Sequence, residues 1–170
     1  MTNLSHIPHF GLPGIDERRA GIEPNSQAPD QSGSTVASGG KIRVLIAEDH
    51  PIMRYTLRSV LKQYPEIEIV CEAANGEEAV WRAEEFQPAI VLMDINMPKL
   101  DGIAATQRIK AHVSPIAVIG LSFSAEGYSI DAMLKAGAVA VVQKEKATEH
   151  LYGAIQRAIA DRMNIHSHQS

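Results

Sequence analysis

Residues 91–102 read VLMDINMPKLDG, and the reading of this stretch decides the fold. Val91, Leu92 and Met93 run straight into Asp94. Asn96, Pro98, Asp101 and Gly102 follow, residue types that end regular structure and build turns. An apolar run without alternation is a strand buried on both faces, the pattern of a parallel sheet covered on both sides. A strand ending on a lone acid before a rigid loop places that acid where such sheets bind ligands, beyond the carboxyl ends of the strands.

Outward from this stretch the same texture repeats. KIRVLIAED, EIEIVCEA, AIVLM, IAVIGL and AVAVV read as five strands. Helical faces separate them. Met53, Leu57, Val60, Leu61 and Tyr64 share one face, with Pro51 at a first-turn position that tolerates proline. Ala79, Val80, Ala83 and Phe86 form a second, opened by an Asn-Gly pair and early acids that suit the helix dipole. GIAATQRIKAH is a weaker helix. Ile130, Met133 and Leu134 are expected inward on a fourth helix, with Gly137 as its C-terminal cap. Leu151, Ile155, Ala158 and Ile159 line a fifth. Five strand–helix units in about 120 residues are too few for a closed barrel. An open, doubly wound α/β sheet is the expectation.

The strand ends carry the chemistry. Glu48 and Asp49 follow the first strand, Asp94 ends the third, Ser122 follows the fourth and Lys144 the fifth. Glu72 and Asn75 follow the second. If strands one, three, four and five are neighbours, about 4.8 Å apart, Glu48, Asp49, Asp94, Ser122 and Lys144 can converge on one pocket. Each alone is an ordinary turn, cap or surface residue; the agreement of four strand ends gives the set its weight. Crowded carboxylates need a cation, and an all-oxygen site suits Mg²⁺. Asp49 and Asp94 would hold it, Lys144 and Ser122 would meet phosphoryl oxygens, and Asp94 would attack phosphorus to form an acyl phosphate. His50 is read as a packing or solvent residue, because hard Mg²⁺ prefers oxygen.

Composition bounds the rest. The chain has 170 residues, 45% hydrophobic, with net charge -4 and pI about 6.0, which gives no support for nucleic-acid or acidic-membrane binding. The single Cys, Cys71, excludes an internal disulfide and sits in an apolar run as a core residue. The first basic residue is Arg18, with no apolar signal region before it and no membrane-length run, so a cytoplasmic setting is expected. Residues 1–40 hold Gly11, Gly14, Gly21, Gly33, Gly39 and Gly40 with Pro8, Pro13, Pro24 and Pro29 and no period, and are expected to be a disordered tail. The folded domain is expected over 41–163, with 164–170 a short C-terminal tail.

VLIAEDHPIMRYTLRSVL, VLMDINMPKLDGIAA, IGLS and VVQK, in this order, resemble the receiver domain of bacterial two-component response regulators, nearest the subfamily carrying a LuxR-type helix-turn-helix. The resemblance spans roughly Ile42 to Arg162. It implies a flavodoxin-like (βα)5 fold with strand order 2-1-3-4-5, the order for which flavodoxin and a receiver protein are the standard examples. It implies Asp94 as phosphoacceptor, with Ser122 the switch hydroxyl and Lys144 the phosphate-binding lysine. Glu48, Asp49, Asp94 and the carbonyl of Asn96 would be the Mg²⁺ ligands. Pro98 and Gly102 would rigidify and turn the loop. The partners implied are a sensor histidine kinase or histidine phosphotransfer protein, a downstream protein and a second copy of the chain.

Three departures stand out. Val141 replaces the aromatic usual three positions before the lysine, which puts the aromatic switch in doubt, with Tyr128 a candidate substitute. Phe123, where a small residue is common, is expected to narrow access for small phosphodonors. Only about eight residues follow the last expected helix, too few for a helix-turn-helix, so for a complete chain no direct DNA binding is expected. The first reading is therefore a stand-alone phosphorylation-controlled binding module, not an enzyme. A phosphorelay intermediate or phosphate sink without conformational output is the second. A haloacid-dehalogenase-type phosphatase is remote, because Asn96 stands where that family needs a second acid.

Overall fold

The computed structural model describes residues 40–113, 115–123 and 127–167; the tail expected over residues 1–40 lies outside this range except for Gly40. Strands β1 (Ile42–Ala47), β2 (Ile67–Ala73), β3 (Ile90–Asp94), β4 (Ala117–Ser122) and β5 (Ala140–Gln143) alternate with helices α1 (Pro51–Leu61), α2 (Gly76–Phe86), α3 (Gly102–His112), α4 (Gly127–Lys135) and α5 (Ala147–Ser167). One 3-10 turn, Lys144–Lys146, joins β5 to α5. The strands form one parallel sheet in the order β2-β1-β3-β4-β5.

Period-two alternation sorts the buried strand residues onto two faces. Val44, Ile46, Ile90, Leu92, Ile119 and Leu121 pack with Leu57 and Leu61 of α1 and Leu151 and Ile155 of α5. Leu45, Ala47, Val91, Met93 and Val118 pack with Ala79 and Ala83 of α2, Ala105 and Ile109 of α3 and Met133 of α4. Both faces are covered, so β3 and β4 are buried along their whole length. Each Leu or Ile removed fully from water contributes roughly 2 kcal/mol.

Local chemistry sets the helix starts. Asn75 accepts from Glu78 N at 3.0 Å, while the Glu78 carboxylate accepts from Ala74 N at 2.9 Å, a reciprocal cap. Asp101 accepts from Ala104 N at 2.8 Å and starts α3. His50 stays extended (φ -79, ψ 114) ahead of Pro51, as the proline ring demands of its predecessor.

Several expectations shift. Met133 is fully buried, but Leu134 is 43% exposed and does not join the core; the apolar stripe of α4 is narrower than the sequence suggests. Gly137 does end α4, with φ +105 and its N–H on the Leu134 carbonyl at 3.0 Å. β5 starts two residues later than the AVAVV run. α5 continues to Ser167, past the boundary expected at residue 163. No helix among the described residues is long and apolar enough to cross a membrane.

Candidate functional site

The carboxyl ends of β1, β3, β4 and β5 share one rim because the sheet is wholly parallel. β3 lies between β1 and β4, so Asp94 stands in the centre of the rim, 2% exposed. Glu48 follows β1 and is fully buried, with its N–H on the Ala73 carbonyl of β2 at 3.0 Å. Asp49 beside it is 26% exposed at its side chain. Ser122 ends β4, one step beyond Leu121, which pairs with Asp94, and is 2% exposed.

Lys144 leaves the end of β5 and buries its whole side chain here. Its Nζ lies 2.7 Å from Glu48 Oε2 and 2.9 Å from Asp94 Oδ1. These atoms pair as charges; neither Lys144 Nζ nor Glu48 Oε2 makes an aligned hydrogen bond among the described residues. At such distances out of water the attraction does not depend on alignment. Burial pushes the Asp94 carboxyl above its ordinary value. The Lys144 ammonium opposes that rise, and the Glu48 charge adds to it.

The loop after β3 is tied back onto the strand. Ile95 N donates to the Leu121 carbonyl at 3.1 Å, and Gly102 N to the Ile95 carbonyl at 2.8 Å. Lys99 takes a positive φ of 65, which closes the turn after Pro98. A Cβ on Gly102 would lie 1.9 Å from the Asp94 carbonyl oxygen, so only glycine allows this return. Asn96 is exposed, and its N–H donates to Asp94 Oδ1 at 3.2 Å.

Glu48, Asp49, Asp94 and Lys144 thus meet, and Asn96 joins through its backbone. Glu72 and Asn75 do not. Glu72 is clamped by Arg58 through two 2.7 Å hydrogen bonds and approached by Arg54 at 3.3 Å, and Asn75 caps α2. Arg54 is a residue the sequence did not single out. Its Nη1 donates to the Glu48 carbonyl at 2.6 Å, tying α1 to the acidic turn. One of two arginines on a helix carries no signal that could have marked it.

One ligand atom each from Glu48, Asp49, His50 and Asp94 lies within 4.8 Å of the others. Asp49 Oδ1, buried as an atom, makes no aligned hydrogen bond among the described residues. A buried carboxylate oxygen without an aligned donor, beside two more carboxylates, is the donor set that a hard divalent cation satisfies. His50, 64% exposed, holds its Nδ1 3.0 Å from Asp49 Oδ1.

The family model described as "Response regulator receiver domain" matches residues 44–156. A protein-glutamate methylesterase/protein-glutamine glutaminase of Carboxydothermus hydrogenoformans is 45% identical over 112 residues, 65% of this chain and 32% of that protein. The response regulator domain of Thermotoga maritima CheB superposes with TM-score 0.66 at 30% identity, covering 71% of this chain and 97% of that one. A LuxR-family two-component response regulator from Aurantimonas sp. SI85-9A1 gives 0.68 at 29%, covering 72% and 87%. The chain spans about a third to a half of the curated relatives it matches. The expectation of a chain with no enzymatic role is corrected here, because relatives matching most of the folded domain are named as enzymes. The shared part is the receiver, so the match assigns this chain no such activity either.

Proposed function

The chain belongs to the response regulator receiver domain family of two-component systems, and on that premise we propose that Asp94 accepts a phosphoryl group from a phosphohistidine on a partner kinase or histidine phosphotransfer protein. The observation that carries this reading is the buried ammonium of Lys144, 2.7 Å from Glu48 and 2.9 Å from Asp94 at the sheet rim. A cation so placed is set to meet negative charge arriving at Asp94.

An Asp94 carboxylate oxygen attacks phosphorus. The new O–P bond forms as the donor's P–N bond breaks, and the electron pair returns to the donor imidazole nitrogen. Lys144 stabilises one phosphoryl oxygen and the Ser122 hydroxyl donates to another. Glu48, Asp49 and Asp94, with the carbonyl of Asn96, would hold Mg²⁺, which supplies charge neutralisation to the transferring group when bound. The backbone tie from Asn96 N and the returned loop at Gly102 fix the Asp94 carboxylate in place.

Phosphorylation then biases the α4–β5–α5 face between two states and changes how it binds a downstream protein. Exposed Tyr128 and Leu134 on α4 and Val139 before β5 offer apolar contact surface there. A second reading, a relay intermediate without conformational output, is favoured by Val141. It is half-buried in β5 with no ring to reorient, and Tyr128, 87% exposed, does not fill the place of one.

The test is intact-protein mass spectrometry with Mg²⁺ and acetyl phosphate, followed over hours, beside an Asp94→Asn control. A single phosphoryl adduct on the native protein and none on the variant is expected. No adduct from acetyl phosphate or from a phosphorylated histidine kinase refutes the assignment of Asp94. Fast return of the phosphoryl group to a histidine phosphotransfer protein, with no change in the α4–β5–α5 face, selects the second reading.

A further inference from the structure

Glu72 lies one residue from the end of β2, paired with Ile46 of β1, yet it stays out of the pocket. It is held between two arginines of α1. Arg58 clamps it through Nε and Nη2, both at 2.7 Å, and Arg54 Nε lies 3.3 Å away. Arg54 and Arg58 stand four residues apart, so they share one face of α1 and repel each other unless a carboxylate lies between them. With Glu72 fixed by Arg58, the Arg54 guanidinium is fixed in turn. Its Nη1 then reaches the Glu48 carbonyl at 2.6 Å.

That carbonyl belongs to the peptide group joining Glu48 to Asp49. Glu48, Asp49 and His50 alone separate β1 from α1. This short turn is tied at each end. Glu48 N donates to the Ala73 carbonyl and Arg54 N to the His50 carbonyl, each at 3.0 Å. His50 N donates to Glu48 Oε1 at 3.2 Å and holds that side chain. The tilt of the Glu48–Asp49 peptide is left to the Arg54 bond. Asp49 Oδ1 makes no aligned hydrogen bond among the described residues, so the place of this carboxylate follows from the backbone beneath it. Arginine suits the task. Its planar fork serves Glu72 and the carbonyl at once, which the single point charge of a lysine does not.

We propose that Arg54, oriented by Glu72, is a positioning residue that aims Asp49 at the divalent cation. The inference rests on the phosphoacceptor reading, with Mg²⁺ held by Glu48, Asp49 and Asp94. Charge and position predict opposite signs here. A guanidinium near these acids repels an incoming cation, so removing its charge alone should tighten Mg²⁺ binding. Removing a group that orients a metal ligand should weaken binding instead. β2 thus serves the site through Glu72 and Arg54, although Glu72 itself stays outside the pocket.

The experiment compares the full-length native protein with Arg54→Ala, Arg54→Lys, Glu72→Gln and the double variant Arg54→Ala/Glu72→Gln. Folding is checked by circular dichroism and by Tm in EDTA, and the Mg²⁺ Kd is read by isothermal titration calorimetry. Arg54→Ala is expected to raise the Kd by roughly tenfold to a hundredfold, the range for groups that orient metal ligands. Arg54→Lys, which keeps the charge and loses the fork, should raise it by less. Glu72→Gln should raise it in the native background and add little on top of Arg54→Ala, because Glu72 acts through Arg54. The Mg²⁺ concentration giving half-maximal adduct formation from acetyl phosphate should rise with the Kd. A folded Arg54→Ala protein with a Kd within twofold of native, or tighter, overturns the positioning role even where its Tm in EDTA falls. If Arg54→Ala does not fold, a native Kd in Arg54→Lys overturns it equally. Full additivity in the double variant overturns the part given to Glu72. Native protein that binds no Mg²⁺ and takes no phosphoryl group overturns the acceptor reading and the positioning role with it.

Discussion

Replacing Gly102 and Gly153 by alanine should shift stability in opposite directions, although both begin as glycines in helices. A Cβ on Gly102 would sit 1.9 Å from the Asp94 carbonyl oxygen and 2.8 Å from its carbon. Real Cβ contacts stop near 3.0 Å, so the start of α3 and the end of β3 must part by about 1.1 Å. The obstacle is backbone on both sides, and no rotamer relieves it. A shift of that size breaks the 2.8 Å hydrogen bond from Gly102 N to the Ile95 carbonyl, a loss of about 1 kcal/mol. Overpacking adds about 1–3 kcal/mol. Alanine's helix preference returns up to about 1 kcal/mol, less at a first helical position. The net is a loss of about 2 kcal/mol, or roughly 6–10 °C in Tm for a domain of this size. A Cβ on Gly153 in α5 meets only Arg157 Nη1 at 3.5 Å, ordinary contact, so Gly153→Ala should gain up to about 1 kcal/mol. Thermal melts followed by circular dichroism, supported by urea titrations, read both. Because the Gly102 shift moves the Asp94 carbonyl, the variant should also accumulate phosphoryl adduct more slowly at a temperature where it is folded. A Gly102→Ala protein that melts at or above native refutes the close-approach argument, as does a Gly153→Ala protein that loses as much.

Other consequences follow from the same geometry. Asp94 has a folded pKa raised by burial above its ordinary 3.8. Its contribution to stability is therefore full below that value and lost as pH rises through the raised pKa. In EDTA at pH 7, Asp94→Asn should melt higher than native, and the gap should close near pH 4; an unchanged gap across that window contradicts the burial argument. Mg²⁺ at about a hundredfold excess over its Kd should stabilise native protein by about 2.7 kcal/mol, and Asp49→Asn should lose most of that gain in a thermal-shift titration. An equal gain in the variant removes Asp49 from the ligand set. Burial pushes the Cys71 thiol from 9.0 up to about 11, leaving roughly a hundredfold less thiolate at pH 8. Iodoacetamide should label folded protein about a hundredfold more slowly than urea-unfolded protein, with the gap narrowing toward pH 11; equal labelling at pH 8 contradicts the buried thiol.

The alternation of strand and helix was legible because parallel strands covered on both faces lack any polar alternation, and the runs at Val91–Met93 and Ile116–Leu121 show this without a structure. Ile116 itself is buried just before β4 begins. The acids, the serine and the lysine at the strand ends were legible for a related reason. Once the sheet is known to be parallel, every residue after a strand falls on one rim. Leu134 misled because a helix stripe shows period but not how far the neighbouring element reaches. Arg54 was invisible because its role depends on where the Glu48 carbonyl points, which no local pattern records.

By itself, then, the sequence determined the class of fold, the rim and the residue types gathered there, since periodicity and turn chemistry are local properties of the chain. Tertiary structure alone decided that Lys144 buries its ammonium between Glu48 and Asp94, that Gly102 returns to within contact of the Asp94 carbonyl, and that Phe123 meets His50 across β3. Each of these joins residues tens of positions apart or turns on a backbone angle. They follow from the order of the strands and the packing around them, which distance along the chain does not encode.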